Sequence, residues 1–212
     1  MASDASQEAG VAEWRITGQE SLLRTPWFEV LRAGVELAGG RTLDHYLFRL
    51  PPVVLTAMAD ERDRILLVWR YRFIPGTWGW ELPSGVADPA EDLAAAAARE
   101  ALSETGWEPL GPVPLIQLQA LPGLTDSAQH VFWSARALRR GEPGWEATRM
   151  EWHPLRDAAG LIASGQIREA STAAALLHLA SRPTASRGTL TRRCAAAARP
   201  LRWRPRWRRR HL

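Results

Sequence analysis

The sequence contains no lysine, a single cysteine and no apolar run of the roughly 18 residues that a membrane-spanning helix needs. One cysteine, Cys194, excludes an internal disulfide framework, so we expect a protein of the reducing cytoplasm. The missing apolar run excludes a helical membrane span. The first ten residues lack the basic start and apolar run of a secretory signal, so we expect none. The use of arginine alone, beside many alanines, indicates a GC-rich genome rather than a mechanism.

The charge is unevenly distributed along the chain. From Ser181 onward there are 11 arginines and no acid, so residues 1–180 hold the remaining 16 arginines against 23 acids, a net charge of −7. An acidic body therefore carries a basic tail. Arginine interleaved with Trp203 and Trp207 suits a phosphate polyanion or an anionic membrane surface. We favour a disordered tail without a dedicated role, and nucleic-acid binding through the tail stays the alternative.

The length of 212 residues fits one domain of ordinary size. We predict a disordered N-terminus over residues 1–12, a domain over 13–180 whose first strands span 13–50, and the tail over 181–212. Strand-like patterns lie on both sides of one strong helical segment, and helical patterns close the domain. This order predicts a mixed α+β fold.

The clearest helix is predicted over residues 89–104. Asp88 is the expected N-cap, Pro89 suits the first helical position, and Glu91 completes a capping-box pattern. Gly106 is a natural stop. The apolar run from Ile65 to Trp69 predicts a buried central strand. A closing helix pair is predicted at Leu155–Ser164 and Glu169–Ala180, and a strand hairpin around Gly39-Gly40.

Two glutamates near the end of this helix indicate a cation site. Glu100 and Glu104 are four residues apart, so their carboxylates lie on one face. The dipole at a helix C-terminus disfavours anions, so a positive group is expected there. Hard oxygen ligands favour Mg²⁺. Taken alone, the pair is equally compatible with a solvated helix end.

The segment from Gly85 to Trp107, GVADPAEDLAAAAAREALSETGW, resembles the Nudix box, G-x5-E-x7-R-E-U-x-E-E-x-G-U, where U is bulky and apolar. Ala101 is a small version of the first U, and Ser103 replaces a glutamate. The resemblance implies an α/β fold of the Nudix type, an α/β/α sandwich with a mixed sheet and an N-terminal antiparallel β-subdomain. The positions that match are Gly85, Glu91, Arg99, Glu100, Glu104, Gly106 and Trp107.

The resemblance also implies a metal-dependent catalytic site. Glu100 and Glu104 would bind Mg²⁺, with Mn²⁺ as a substitute, and the backbone carbonyl of Ser84 would join them. Arg99 would orient the carboxylates. The metal would neutralise a pyrophosphate and activate water. Because Ser103 removes one carboxylate, we expect the site to bind fewer metal ions or to bind them with lower affinity. A nucleotide-binding regulatory module with little catalysis is the alternative function.

Flanking segments are similar to the ADP-ribose pyrophosphatase-like branch of the family. They are Arg70-Tyr71-Arg72, Glu81 to Gly85, and Pro122-Gly123. This similarity implies hydrolysis of ADP-ribose or a related nucleoside diphosphate sugar to a nucleoside monophosphate and a sugar phosphate. It also implies a homodimer formed through residues 13–50.

Several further residues are candidates for this site, each with a structural alternative. Arg72 could bind a phosphate group of the substrate, and the alternative is a surface ion pair. Glu81 would support the site, or form a buried pair. Trp80, like Trp78, could stack on a nucleobase. The alternative for both is packing in the core or in a dimer interface. Glu146 is the candidate general base, or an exposed loop acid. Pro122 and Gly123 are the candidate substrate loop.

Overall fold

The computed structural model describes residues 13–88, 90–144 and 149–182. By its internal contacts the described chain falls into two compact units. The first consists of the residues up to Leu50 together with Leu121–Ser127, and the second of Pro51–Ala120 and the chain from Ala128 onward.

The first unit is built on an antiparallel sheet in the order β1-β2-β3. Its strands are β1 (Arg15–Arg24), β2 (Glu29–Glu36) and β3 (Thr42–Arg49). The expected hairpin at Gly39-Gly40 is confirmed: both glycines adopt positive φ, 87° and 80°, which side chains disfavour. Alternate residues of β2 are buried, whereas β1 is exposed along its whole length.

The second unit contains the other strands and all the helices of the described chain. Two sheets have the orders β7-β4-β10-β9 and β12-β5-β6, and a two-stranded sheet pairs β11 with β8. Strands β4 and β10 are parallel, so the first of these sheets is mixed. The elements are β4 (Val53–Met58), β5 (Arg64–Arg72), β6 (Thr77–Glu81), β7 (Ser84–Val86), α1 (Leu93–Thr105), β8 (Trp107–Pro109), β9 (Val113–Leu118), β10 (Gln129–Ser134), β11 (Ala137–Arg139), β12 (Arg149–Pro154), a 3₁₀ turn (Leu155–Asp157), α2 (Ala158–Ala163) and α3 (Ala170–Ala180).

The two faces of β4 pack against different helices. Leu55 belongs to a core cluster with Leu176 and Leu179 of α3. Its neighbour Val54 belongs to a cluster with Ala97 of α1. Side chains alternate between faces along a strand, so this division places helices on both sides of the sheet. The predicted mixed α+β sandwich is confirmed, and so are the buried central strand within β5 and the closing helices.

The first turn of α1 differs from the prediction. The helix begins at Leu93, and its N-cap is Asp92, whose carboxylate accepts hydrogen bonds from the N–H groups of Ala94 and Ala95, both at 3.0 Å. Asp88 instead closes a separate turn, donating its N–H to Glu91. Ala90, between the predicted cap Asp88 and the observed cap Asp92, has φ of 72°, which is incompatible with a continuous helix. The predicted stop at Gly106 is confirmed, since this residue caps the helix in the left-handed conformation.

No helix of the described residues is both long and apolar enough to cross a membrane. The N-terminal segment and the tail beyond residue 182 lie outside the described residues. The predicted domain boundaries and the disorder of both ends therefore stay predictions.

Candidate active site

A cavity of about 500 Å³ opens in the second unit where β4, β5, β7 and the last turns of α1 meet. Its lining includes three carboxylates, Glu100, Glu104 and Glu169, and two guanidinium groups, Arg70 and Arg72. The structure therefore brings both predicted metal-binding glutamates to one cavity, beside side chains that can bind phosphate.

Glu104 is held from two sides. It is buried, with 9% of its surface exposed. Its Oε2 accepts a hydrogen bond of 3.0 Å from the N–H of Ser84, and its Oε1 lies 2.7 Å from Nη2 of Arg70. Glu104 and Ser84, both predicted for the metal site, are thus in direct contact.

Glu100 lies one helical turn earlier and packs against the backbone of β7. A Cβ built on Gly85 would stand 2.2 Å from Cδ of Glu100 and 2.3 Å from its Oε2. A side chain at this position would push the Glu100 carboxylate aside, so the box glycine allows the carboxylate to approach β7 closely.

Arg99 connects the two ends of the motif. Its Nε and Nη2 donate to the two carboxylate oxygens of Glu91 at 2.9 and 2.8 Å, and its Nη1 donates to Glu100. The hydrogen bonds from Arg99, with a further one from the Asp88 backbone, lower the pKa of Glu91 to about 2. The bond to Glu91 in turn raises the pKa of Arg99. This is the arrangement expected of a residue that orients the carboxylates.

Arg72 and Glu81 form a second charged pair at the edge of the cavity. Arg72 Nε lies 3.0 Å from Glu81 Oε1, and Nη2 donates to Oε2. This hydrogen bonding raises the pKa of Arg72. Arg72 also lines a neighbouring cavity of about 340 Å³ with Trp78 and Arg168, and both cavities include Glu169. Arg72 can therefore reach a ligand in either space.

Trp80 does not face the described cavities. Only 3% of its surface is exposed, and its ring packs 5.0 Å from Trp69 and 4.5 Å from His153. Side chains alternate along β6, so Glu81 points to the cavity face and Trp80 to the core. The structure supports packing rather than base stacking for Trp80, whereas the half-exposed Trp78 lines the smaller cavity.

Three predicted residues are not among those that line the described cavities. Pro122 and Gly123 belong to the first unit, where the Gly123 carbonyl lies 3.0 Å from Nε2 of His45. Glu146 lies outside the described residues. Just before it, the N–H of Gly144 donates to the backbone carbonyl of Glu104 at 3.0 Å. The roles of these three residues stay predictions.

Ser103, where the sequence departs from the box, is exposed and does not line the cavity. Its backbone carbonyl instead contacts Gly144, where a Cβ would stand 2.7 Å away. The described geometry gives no support to the expectation that this replacement depletes the metal site.

Three polar residues of the cavity are not among the residues predicted from the sequence: Arg70, Gln129 and Glu169. The sequence could have predicted Arg70, because it lies two positions before Arg72 on a strand and the two side chains therefore share a face. Glu169 caps α3, accepting from the N–H groups of Ser171 and Thr172, and nothing in the sequence pattern connects that cap with the box.

The oxygen donors of this cavity fit a hard divalent cation. Within the described residues, no group of three or more histidines, cysteines or acids is arranged to hold a metal. Magnesium, however, is commonly bound by one or two carboxylates, with water and substrate phosphates as its other ligands. Glu100 and Glu104 supply that number of carboxylates, and the absent side chain of Gly85 leaves the room that Glu100 occupies.

Comparisons with known proteins identify the family of this chain. The family model described as the NUDIX domain matches residues 49–176. The chain is 39% identical over 166 residues to the CMP-5'-(N-acetyl-N-hydroxy-3-aminopropyl)phosphonate hydrolase of Streptomyces rubellomurinus, covering 77% of this chain and 81% of that protein. It is 28% identical to an ADP-ribose pyrophosphatase of Mycobacterium tuberculosis, covering 73% and 77%.

A crystal structure of an ADP compounds hydrolase has the same fold. It superposes with a TM-score of 0.71 at 20% identity, and the match covers 81% of this chain and 94% of that chain. The family match spans more than half of the chain and includes every box residue. The chain therefore belongs to the Nudix family and is a Nudix hydrolase.

Proposed function

We propose that this enzyme hydrolyses the phosphoanhydride bond between a nucleoside 5'-monophosphate and a second group, with ADP-ribose or a related nucleoside diphosphate sugar as the first substrate class. The observation that carries the proposal is the single cavity in which Glu100 and Glu104 face Arg70 and Arg72. Carboxylates there suit a divalent metal, and guanidinium groups suit phosphoryl oxygens.

Each of the predicted site residues has a separate role in this proposal. Glu100, Glu104 and the Ser84 carbonyl would hold Mg²⁺ or Mn²⁺, which neutralises the diphosphate and activates water when bound. Arg99 fixes the carboxylate of Glu100. Arg72, held by Glu81, contacts the phosphoryl group from the opposite wall. Glu146 is the proposed general base.

A second substrate class is a nucleotide joined to a phosphonate. The 39%-identical relative is named as a hydrolase of such a CMP compound, whereas the relative named ADP-ribose pyrophosphatase is 28% identical. A diphosphate and a phosphate–phosphonate anhydride present similar phosphorus oxygens to the same arginines. The second cavity beside Arg72 would then receive the group that differs between the two classes.

Steady-state hydrolysis by the full chain tests the proposal. ADP-ribose, other nucleoside diphosphate sugars and a CMP-phosphonate are compared with Mg²⁺, with Mn²⁺ and with EDTA, and products are identified in ¹⁸O-labelled water to locate the phosphorus attacked. We expect a nucleoside monophosphate, metal dependence, and a loss of at least about 100-fold in Glu100→Gln and Glu104→Gln.

Glu108→Gln is the matched control, because Glu108 pairs with Arg140 and does not line the cavity. It should retain the wild-type rate. If every compound is bound but none is hydrolysed, the proposal fails and the nucleotide-binding module is favoured.

We also propose that the chain forms a homodimer through the sheet of the first unit. In support, Ile16, Val35 and Leu43 are directly opposite one another across β1, β2 and β3, so their side chains share one face. The outer two are exposed to 56% and 38%. Burial of Ile16 and Leu43 against a second copy would remove their apolar surface from water.

A further inference from the structure

The pair between Arg70 and Glu104 joins the C-terminal part of β5 to the end of α1. Nη2 of Arg70 lies 2.7 Å from Oε1 of Glu104, and the two side chains are exposed to only 8% and 10%. Both side chains line the proposed metal cavity. The cavity therefore contains a permanent cation in contact with one of the two box carboxylates.

The pair is close but poorly aligned. Among the described residues, Nε and Nη2 of Arg70 are two of the three buried side-chain polar atoms that make no hydrogen bond of good geometry. Glu104 has a well-formed hydrogen bond instead from the N–H of Ser84. A buried donor without a partner destabilises the fold, and a buried ion pair rarely stabilises more than an apolar pair would. Stability alone does not explain why an arginine occupies this position.

We propose that the Arg70 guanidinium is a built-in counter-cation of Glu104, which competes with the divalent metal for this carboxylate. This inference rests on the proposed function, because it assigns Glu104 to the metal site. A divalent ion at Glu104 must either displace Arg70 or share the carboxylate with it. Both cost free energy, since like charges a few ångströms apart repel strongly in a buried site.

Two properties follow. In the metal-free chain Arg70 balances the negative charge of Glu104, so folding does not depend on metal. The site binds a divalent cation more weakly than its two carboxylates would without Arg70. Arg70 is then a positioning residue for Glu104 that sets the metal affinity.

The affinity of the full chain for Mn²⁺ alone, measured by electron paramagnetic resonance of the free ion, tests this directly. Arg70→Gln should bind Mn²⁺ about 10-fold more tightly than wild type, because the repulsive charge is gone. Arg70→Lys, which keeps the charge, should stay within about 3-fold of wild type. Arg64→Gln removes an arginine from the other end of β5, where it pairs with Asp60, and should not change the affinity.

An Arg70→Gln variant with the same or a weaker affinity for Mn²⁺ overturns the inference. Thermal unfolding supplies a second readout: about 1 mM Mn²⁺ should raise the Tm of Arg70→Gln by more than that of wild type, since at one ligand concentration the tighter site stabilises the folded state more. If Arg70→Gln does not fold, the Tm of the wild-type chain with and without EDTA tests the inference. A wild-type Tm that falls by more than about 5 °C in EDTA overturns the inference, and an unchanged Tm supports it.

These measurements do not depend on turnover. If no nucleotide is hydrolysed, the proposed function fails while the Mn²⁺ affinities still report on Arg70. If hydrolysis is observed and the affinities of wild type and Arg70→Gln are equal, only the present inference fails.

Discussion

The carboxylate of Glu100 occupies the space in which a side chain at Gly85 would lie, with Cδ 2.2 Å from an ideal Cβ. Glu100 is the end of a flexible side chain, so Gly85→Ala would push it aside rather than distort the backbone. We expect Gly85→Ala to lower kcat/KM at least about 100-fold while changing the free energy of unfolding by less than about 1 kcal/mol.

Gly160→Ala is the matched control for this variant. Gly160 lies in α2, and a Cβ there meets nothing within 4 Å. The enzyme should keep its activity. Equal losses of activity and stability in Gly85→Ala would instead show that the glycine serves the fold and not the position of Glu100.

Ser103→Glu restores the glutamate of the family box. Because Ser103 is exposed and does not line the cavity, a charge placed there is screened by solvent. We expect kcat/KM and the Mn²⁺ affinity to change by less than about 3-fold. Ser103→Gln is the neutral control. A rise of 10-fold or more in Ser103→Glu alone would restore the interpretation that this position depletes the metal site.

The pair of Glu91 and Arg99 makes the free energy of unfolding depend on pH. The pKa of Glu91 is about 2 in the folded chain, below its ordinary value of 4.5. Between these values the folded chain binds fewer protons than the unfolded chain, so stability rises with pH. The stabilisation from Glu91 is complete above about pH 4.5 and is lost as the pH falls towards 2.

Urea unfolding at a series of pH values measures this effect. At pH 6 we expect Glu91→Gln to lower the free energy of unfolding by about 1 kcal/mol, as for a hydrogen-bonded pair that is partly exposed. The difference from wild type should shrink steadily below pH 4.5. A difference that stays constant down to pH 3 would contradict the assignment of the low pKa to this pair.

The proposed dimer is tested by its molar mass in solution. Ile16→Asp introduces a charge beside Val35 on the face where Ile16 and Leu43 are exposed, and we expect it to weaken association at least about 10-fold. Tyr46→Asp is the matched control, because Tyr46 pairs with Arg32 and is exposed on the opposite face of the sheet. A monomeric wild type, or equal behaviour of both variants, would refute the proposed interface.

The sequence predicted what depends on spacing along one element. Glu100 and Glu104 share a face because four residues make about one helical turn, and the box fixes their distance from Gly85. The use of Asp92 rather than the predicted Asp88 as the helix N-cap was not predictable, because an aspartate can cap a helix at either position. Alternation along a strand places Trp80 and Glu81 on opposite faces, but it does not say which face holds the cavity, so both were candidates. Contacts between distant segments, such as that of Arg70 with Glu104, arise only from the packing of β5 against α1.

Arg72 and Glu81 are expected to act as a unit, but replacing one should lower the free energy of unfolding more than replacing the other. Glu81 is buried, with 4% of its surface exposed, whereas nearly half of the Arg72 side chain is exposed. Arg72→Gln leaves a buried charge unpaired and should lower the free energy of unfolding by roughly 3 kcal/mol. Glu81→Gln leaves an arginine that water can reach, so it should cost clearly less.

Activity should show coupling between the same two residues. If Glu81 acts by holding Arg72 against the phosphoryl group, each single variant should lower kcat/KM about 10-fold or more, and the double variant should lose little beyond the worse single one. Arg64→Gln, which breaks the separate pair with Asp60, controls for the loss of an arginine from β5. Losses in kcat/KM that simply multiply in the double variant would mean that Glu81 contacts the substrate independently, and that the hydrogen bonds between the two side chains do not position Arg72.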